Sequence, residues 1–169
     1  MNVESLYKLS YGMYIVSTKS NGRLNGQIAN TVFQVTAEPP KIAVCLNKKN
    51  FTHELIESSK IFAVSILSTE ATMKFIGPFG FKCGRDIDKF KGVNYKINKT
   101  GAPIVLDNTI AYLEAEVTET LDVGTHTLFV GKVVLGDLLS EGNPMTYEYY
   151  HMVIKGKAPE NAPTYRKKI

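Results

Sequence analysis

The chain of 169 residues is long enough for one domain with a sizeable core and too short for two typical domains. Hydrophobic residues make up 44% of it and charged residues 21%, which argues against a disordered chain and against membrane spans. Residues 155–169 hold five basic side chains and one acid and so carry the whole net charge of +4, which leaves the body without the basic surface that nucleic acid requires. We therefore expect one domain over residues 1–156 and an extended basic tail over residues 157–169. The first residues lack the pattern of a signal peptide, which predicts a cytoplasmic protein.

Taken in chain order, the residues predict a mainly β domain with a few short helices. Short apolar runs rich in β-branched residues predict strands at 13–18, 24–36, 41–46 and 61–67. Helical spacing predicts two short helices, 53–57 and 69–76, and Gly77-Pro78 is predicted to end the second. Residues 77–103 are rich in Gly and Lys and are predicted to be largely irregular.

The most regular pattern in the sequence is a long hairpin. Residues 111–119 alternate between apolar and charged side chains, which is the period of a half-buried antiparallel strand. Asp122-Val123-Gly124 predicts a turn, and residues 127–136 predict the returning strand. Long strands that pair and coil favour a barrel over a flat sheet, and Gly131 and Gly136 are suited to the places where strands bend.

A polar, basic turn follows the apolar run 42–46 and precedes the first predicted helix. Its sequence is Asn47-Lys48-Lys49-Asn50-Phe51-Thr52-His53, in which Asn50 or Thr52 is placed to cap the helix. Free backbone N–H groups, lysines and a hydroxyl at a helix N-terminus are typical of an anion site, usually for phosphate. The alternative is an ordinary capped helix with solvated lysines.

A second polar run favours the anion-binding interpretation. Asn25-Gly26-Gln27-Ile28-Ala29-Asn30-Thr31 lies within a strand-rich region, where amide and hydroxyl groups at strand ends can bind the edge of a heterocycle. The two segments together indicate a phosphorylated, ring-containing cofactor. The sequence holds neither GxGxxG after the first strand nor GxxxxGK[ST], so neither a Rossmann nor a P-loop nucleotide site is supported.

His126 follows the turn of the long hairpin, where a side chain can reach a ligand. Its imidazole could bind a phosphate, a ring edge or a substrate, and its charge changes near neutral pH. The alternative is a surface histidine at the end of a strand. Three scattered histidines without carboxylates at ligand spacing, and two cysteines outside a CxxC motif, argue against a metal site.

The order of these motifs resembles the flavin reductase-like, FMN-binding split-barrel family over residues 11–165. The resemblance extends to flavoredoxins and to the flavin domain of high-molecular-weight rubredoxins. It implies a mainly β, Greek-key split β-barrel with a few short helices. The matching motifs are Ala29-Asn30-x-Val32-x-Gln34-Val35, Val44-x-Leu46-Asn47-Lys48-Lys49-Asn50-x-Thr52-His53-Glu54, Phe79-Gly80-x-x-x-Gly84-Arg85-x-x-Asp88-Lys89-Phe90 and Gly124-Thr125-His126-Thr127-Leu128-Phe129-Val130-Gly131.

The resemblance also implies which residues hold FMN. Those expected along the isoalloxazine and ribityl chain are Ala29, Asn30, Thr31 and Gln34. Those expected around the phosphate are Asn47, Lys48, Asn50 and Thr52. Lys89 would add a charge-assisted contact, and His126 would lie beside the flavin as the catalytic candidate.

The implied function is an FMN-dependent oxidoreductase, and the implied assembly is a homodimer with FMN near the interface. Electrons would pass from NADH, NADPH or a donor protein through FMN to an acceptor such as free flavin, ferric iron or rubredoxin. The alternative is a non-catalytic, flavoredoxin-type electron carrier or a flavin-binding module. The sequence does not distinguish NADH from NADPH as the donor.

Overall fold

The computed structural model describes residues 2–165, so the tail residues Arg166, Lys167 and Lys168 lie outside the described residues. Residues 2–165 form a short 3-10 helix (Val3–Lys8), nine strands and three α-helices. The strands are β1 (Tyr14–Ser20), β2 (Arg23–Ala29), β3 (Val32–Ala37), β4 (Pro40–Asn47), β5 (Ile61–Leu67), β6 (Tyr95–Ile97), β7 (Pro103–Val105), β8 (Thr109–Asp122) and β9 (His126–Leu138). The helices are α1 (Phe51–Ser59), α2 (Met73–Phe81) and α3 (Tyr147–Met152). The predicted mainly β class is confirmed.

Seven strands form one antiparallel sheet in the order β2-β1-β5-β8-β9-β4-β3. The sheet coils, because Val16 of β1 and Val44 of β4 belong to one buried cluster although three strands separate β1 from β4. Its two edge strands, β2 and β3, are joined by only Asn30 and Thr31, so the edges lie close together without pairing. The result is a barrel that is open at the β2–β3 seam, as predicted.

Apolar cores lie on both faces of the coiled sheet. Val16, Phe62 and Phe129 pack on one face with α1, and Ile15 packs on the other face with α2 and α3. The predicted hairpin is confirmed as β8 and β9. Gly131 on β9 leaves room for the ring of Phe62, which a Cβ at that position would overlap.

The predicted bounds of both helices are wrong. Helix α2 begins at Met73 and continues past Gly77-Pro78 to Phe81, because a buried Phe79 anchors its last turn and Pro78 removes only one backbone donor. Residues 77–103 are largely irregular, as predicted, apart from the end of α2 and most of the small hairpin β6–β7, which runs to Val105. Its strands of three residues are too short to show a period.

Helix α1 is longer than the predicted 53–57, and it packs Ile56 into the core beneath the sheet. No helix within residues 2–165 has the length and apolar character needed to cross a membrane. The placement of α1 matters for the site, because its N-terminus follows directly from the end of β4 at the open seam of the barrel.

Candidate functional site

A cavity of about 340 Å³ opens beside the β2–β3 seam. Its walls come from the second half of β2, the turn 47–50 with the first residues of α1, the end of α2 with the loop 82–84, and residues 157–163. Four lysines line it, Lys49, Lys82, Lys89 and Lys157, against one acid, Glu160, among the described lining residues. The excess of positive charge suits an anionic ligand.

One end of the cleft is the uncapped start of α1. Asn50 occupies the N-cap position with extended backbone, but its side chain makes no capping hydrogen bond. Its Oδ1 instead accepts a hydrogen bond from Nδ2 of Asn161 at 3.1 Å. The N–H groups of the first turn are therefore left uncapped at the cavity wall, where Phe51 and Thr52 line it, and the helix dipole adds partial positive charge there.

Thr52 and Asn25 form a buried polar pair that ties α1 to β2. Thr52 is 1% exposed and Asn25 is 2% exposed, and Asn25 Nδ2 donates to Thr52 Oγ1 at 2.9 Å. Because the threonine oxygen accepts in this bond, its O–H can still donate toward the cavity. The pair fixes a hydroxyl donor beside the uncapped helix start.

Lys89 is buried below the cleft. Its ammonium group donates to the carbonyl oxygens of Gly26 at 2.9 Å and Phe79 at 3.2 Å, which leaves a third N–H. Burial lowers the pKa of Lys89 to about 8, so the group is still mostly charged at neutral pH. A buried ammonium held only by carbonyls suits a site that binds an anion.

Gln27 carries an unpartnered acceptor into the same cleft. Among residues 2–165, its Oε1 is the one buried side-chain nitrogen or oxygen atom without a hydrogen-bond partner. Buried acceptors in native proteins are nearly always paired, so this oxygen is expected to accept from a ligand N–H or O–H. A phosphorylated ligand with hydroxyl or ring N–H donors fits these residues.

The loop 82–85 is fastened to both neighbouring elements. Arg23 on β2 donates to the carbonyl oxygen of Gly84 at 2.8 Å, and Arg85 forms an ion pair with Glu54 of α1. Both guanidinium groups lie over the Phe51 ring, at 4.6 and 4.7 Å from its centroid. Gly84 allows the close approach, because a Cβ there would overlap the Asn25 side chain.

His126 and Lys48 lie at the rim, next to the lining residues Asn47 and Lys49 but outside the lining itself. His126 pairs with Asn47 across β4 and β9, and its Nε2 is 3.3 Å from the carbonyl oxygen of Asn161. A carbonyl can only accept, so Nε2 carries the proton, while Nδ1 accepts from the Thr125 hydroxyl at 2.8 Å. Lys48 points to Asp122, with which it forms an ion pair at 2.6 Å.

The cleft brings together six of the ten predicted site residues. Those that line it are Ala29, Asn30, Asn47, Asn50, Thr52 and Lys89. Thr31 donates to Asn30 Oδ1 beside the cleft, and Gln34 lies exposed on the edge strand β3. The remaining two, Lys48 and His126, occupy the rim positions described above.

Asn25, Gln27 and Lys49 line the cleft and lie in the two polar segments that the sequence singles out, but they are missing from the ten predicted site residues. A signal existed for the first two, because Asn25, Gln27 and Ala29 are spaced two apart and so share one face of β2. Residues 157–163 carry no comparable signal, because a Lys-, Ala- and Pro-containing segment is typical of a linker.

A split barrel with a basic cleft at its seam and an uncapped helix start is suited to bind a phosphorylated ring cofactor outside the barrel. Residues 6–156 match the family described as the flavin reductase like domain, and the chain therefore belongs to the flavin reductase-like family of oxidoreductases. The predicted family and enzyme class are thereby confirmed.

Known relatives extend this result to nearly the whole chain. The chain is 52% identical over 165 residues to a ferric-chelate reductase (NAD(P)H) of Archaeoglobus fulgidus, covering 98% of both chains. It is 50% identical to a high molecular weight rubredoxin of Moorella thermoacetica, covering 98% of this chain and 72% of that protein. The crystal structure of the flavin reductase HpaC complexed with NADP+ superposes with a TM-score of 0.73 at 27% identity, covering 86% of this chain and 90% of HpaC.

Proposed function

We propose that the cleft binds FMN and that the protein passes electrons from NADH or NADPH through it to an acceptor. The observation that carries this proposal is the meeting, in one cleft, of the uncapped start of α1, four lysines and the unpartnered acceptor of Gln27. The phosphate of FMN suits the helix start and the lysines, and its hydroxyl and ring N–H groups can donate to Gln27. Bound flavin supplies the capacity to accept a hydride and to release electrons.

Each group of residues has a separate task in this proposal. The first turn of α1, with Thr52 and Lys49, binds the phosphate through N–H, hydroxyl and ammonium donors. Gln27 and Asn30 orient the polyol or ring edge by hydrogen bonds. Lys89 holds a positive charge below the site, and residues 157–163 exclude water from its outer side.

His126 is the proposed catalytic group, because its Nε2 carries a proton at the rim of the cleft. This N–H donates to the Asn161 carbonyl, so it can donate to the flavin only after that bond breaks. A donor there stabilises negative charge on a neighbouring group and so favours its reduced state. We expect His126→Ala to fold normally, to lose FMN affinity or shift the flavin potential, and to be reduced more slowly by NAD(P)H. A variant with a lower Tm but unchanged affinity, potential and reduction rate would assign His126 a structural role.

Ferric iron in a chelate is the first acceptor to test, since the relative at 52% identity is named a ferric-chelate reductase that uses NAD(P)H. A steady-state assay would compare NADH with NADPH as donors, and a ferric chelate, free FMN and a purified rubredoxin as acceptors. Turnover with a ferric chelate or free FMN supports the reductase. The absence of turnover with either nucleotide would contradict it.

Electron transfer with a rubredoxin is the second candidate, because the relative at 50% identity is named a high molecular weight rubredoxin. In this candidate the bound flavin exchanges electrons with a separate protein. Fast reduction by a protein donor, together with no turnover on either nucleotide, is the outcome that would favour it.

We also propose a two-fold dimer that covers the exposed edge strand β3. Phe33 and Val35 are 49% and 45% exposed on that strand, and an unpaired apolar edge is suited to contact with a second copy. Gln34 would then lie at the interface. Light scattering tests the dimer, and a stable monomer that keeps its FMN would contradict it. The cytoplasmic location stays a prediction.

A further inference from the structure

The segment that follows α3 crosses the outer side of the cleft. We call residues 157–164 the strap, since residues 157–163 line the cavity although they lie nearly a hundred positions or more from β2 and α1 in the sequence. Its start is fixed to α3, because Tyr150 donates its hydroxyl to the carbonyl oxygen of Lys157 at 3.1 Å. Pro159 and Pro163 restrict its backbone, so the strap is stiffer than a Gly- or Ser-rich linker.

The middle of the strap is fastened to the proposed phosphate end of the site. Asn161 Nδ2 donates to Asn50 Oδ1 at 3.1 Å, and its carbonyl oxygen accepts from His126 Nε2 at 3.3 Å. Asn161 thus bridges the N-cap residue of α1 and the first residue of β9. The bond from Asn161 also holds the Asn50 side chain, which would otherwise cap α1. The N–H groups of the first turn therefore stay available for a ligand.

The end of the strap is fastened to the opposite side of the cleft. Thr164 Oγ1 accepts from Asn30 Nδ2 at 2.8 Å and donates to the Tyr147 hydroxyl at 2.9 Å. Asn30 is only 5% exposed and lies at the β2–β3 seam. The strap therefore has attachment points on α3, on the turn before α1 and at the seam, and it spans the cleft between them.

We infer that the strap is the outer wall of the FMN site and that Asn161 is its latch, which slows release of the cofactor. The inference rests on the proposed function. A ligand seated between β2 and the strap is covered by it, so its departure requires the hydrogen bonds of Asn161 and Thr164 to break. The strap thereby makes FMN a retained prosthetic group of this protein instead of a substrate that exchanges at each turnover.

The test measures how fast FMN leaves the full-length protein. FMN-loaded protein is diluted, and the recovery of flavin fluorescence gives the release rate of the wild type, Asn161→Ala and Thr164→Val. We expect each variant to release FMN at least about fivefold faster, as the loss of one or two hydrogen bonds predicts. Asn98→Ala removes an exposed asparagine outside the cleft lining and should release FMN at the wild-type rate.

A second readout does not depend on release. Trypsin cleaves after Lys157, and unlatching should expose this bond, so Asn161→Ala should be cleaved there faster than Asn98→Ala. Wild-type release and cleavage rates in both strap variants would overturn the inference and leave FMN binding intact. Tighter FMN binding by Asn161→Ala would also overturn it, since the strap would then compete with the cofactor. A wild type that binds no FMN would overturn both this inference and the proposed function.

Discussion

Two side chains with buried oxygen atoms, Glu114 and Gln27, differ in how those atoms are satisfied. Glu114 is fully buried on β8, and its two carboxyl oxygens accept from Lys99 N at 3.2 Å, Thr100 N at 2.9 Å and Thr100 Oγ1 at 2.6 Å. Gln27 on β2 has a buried Oε1 without a partner among residues 2–165. The turn between β6 and β7 thus supplies all the donors that Glu114 needs, whereas no described residue supplies one to Gln27 Oε1.

This difference separates a structural polar group from a binding group. A buried acceptor that is fully paired stabilises the fold and needs no ligand. A buried acceptor that is unpaired costs stability, so its retention is explained by a ligand that supplies the donor. The cleft also contains an uncapped helix start and the Lys89 ammonium group, which is held by two carbonyls. Both have N–H groups left to donate to a ligand.

The largest effect is expected from removal of the satisfied group. Glu114→Ala deletes three hydrogen bonds and should lower the free energy of unfolding by about 3 kcal/mol, measured by urea denaturation of the apoprotein. FMN affinity should change little, because Glu114 is outside the cleft lining. Glu116→Ala on the same strand is the control, since that side chain is exposed and its loss should cost less than about 0.5 kcal/mol.

The next effect concerns the two lysines of the turn. Lys49 lines the cleft, whereas Lys48 forms an ion pair with Asp122 at the rim. Lys49→Met should weaken FMN binding by about 1.5–3 kcal/mol, the value of a charge-assisted contact. Lys48→Met is the matched control and should weaken it less. If a fluorescence titration shows a larger loss of FMN affinity for Lys48→Met than for Lys49→Met, Lys48 makes the phosphate contact, as the family resemblance implies.

Gln27→Leu should change apoprotein stability and FMN affinity in opposite directions. Removal of an unpaired buried oxygen should leave the apoprotein equally stable or stabilise it by up to about 1 kcal/mol. Loss of the acceptor should weaken FMN binding by about 1 kcal/mol. Calorimetry of the apoprotein and an FMN titration measure the two quantities. A variant that is less stable and binds FMN normally would show that Gln27 acts in packing.

The smallest effect is a pH dependence of FMN affinity. Burial lowers the pKa of Lys89 to about 8, so the apoprotein loses this positive charge as pH rises through that value. FMN affinity should therefore fall a few-fold between about pH 7 and pH 9.5, and Lys89→Gln should remove this part of the dependence. Unfolding does not explain the fall. The unfolded pKa is about 10.4, so deprotonation favours the folded apoprotein in this range.

The sequence predicted the parts of the fold that repeat over many residues. Hairpin β8–β9 was predictable because its alternation continues for nine residues. The turn before α1 was predictable because candidate capping residues lie together there, and its binding of an anion stays a prediction. The hairpin β6–β7 and helix α3 were missed because each element is too short to show a period. Which of the two turn lysines lines the cleft was not predictable, since Lys48 and Lys49 are neighbours and only the geometry of the turn places one of them in the lining.

The attachment of the strap depends on contacts that no local pattern encodes. Asn161 meets Asn50 across more than a hundred residues, and Thr164 meets Asn30 across a similar separation. Such pairs follow from the coiling of the sheet, which brings distant segments together, and not from the composition of the segment. The predicted division into a body and a tail is not tested by these contacts.

The central claim is that the open polar groups of the cleft are completed by FMN. The most direct measurement is an FMN titration of the wild-type apoprotein, followed by calorimetry and by the Tm of the complex. The account predicts a yellow complex with one FMN per chain and a Tm that rises with FMN concentration, because a ligand that binds only the folded state stabilises it. A colourless protein whose Tm is unchanged by saturating FMN would contradict the account.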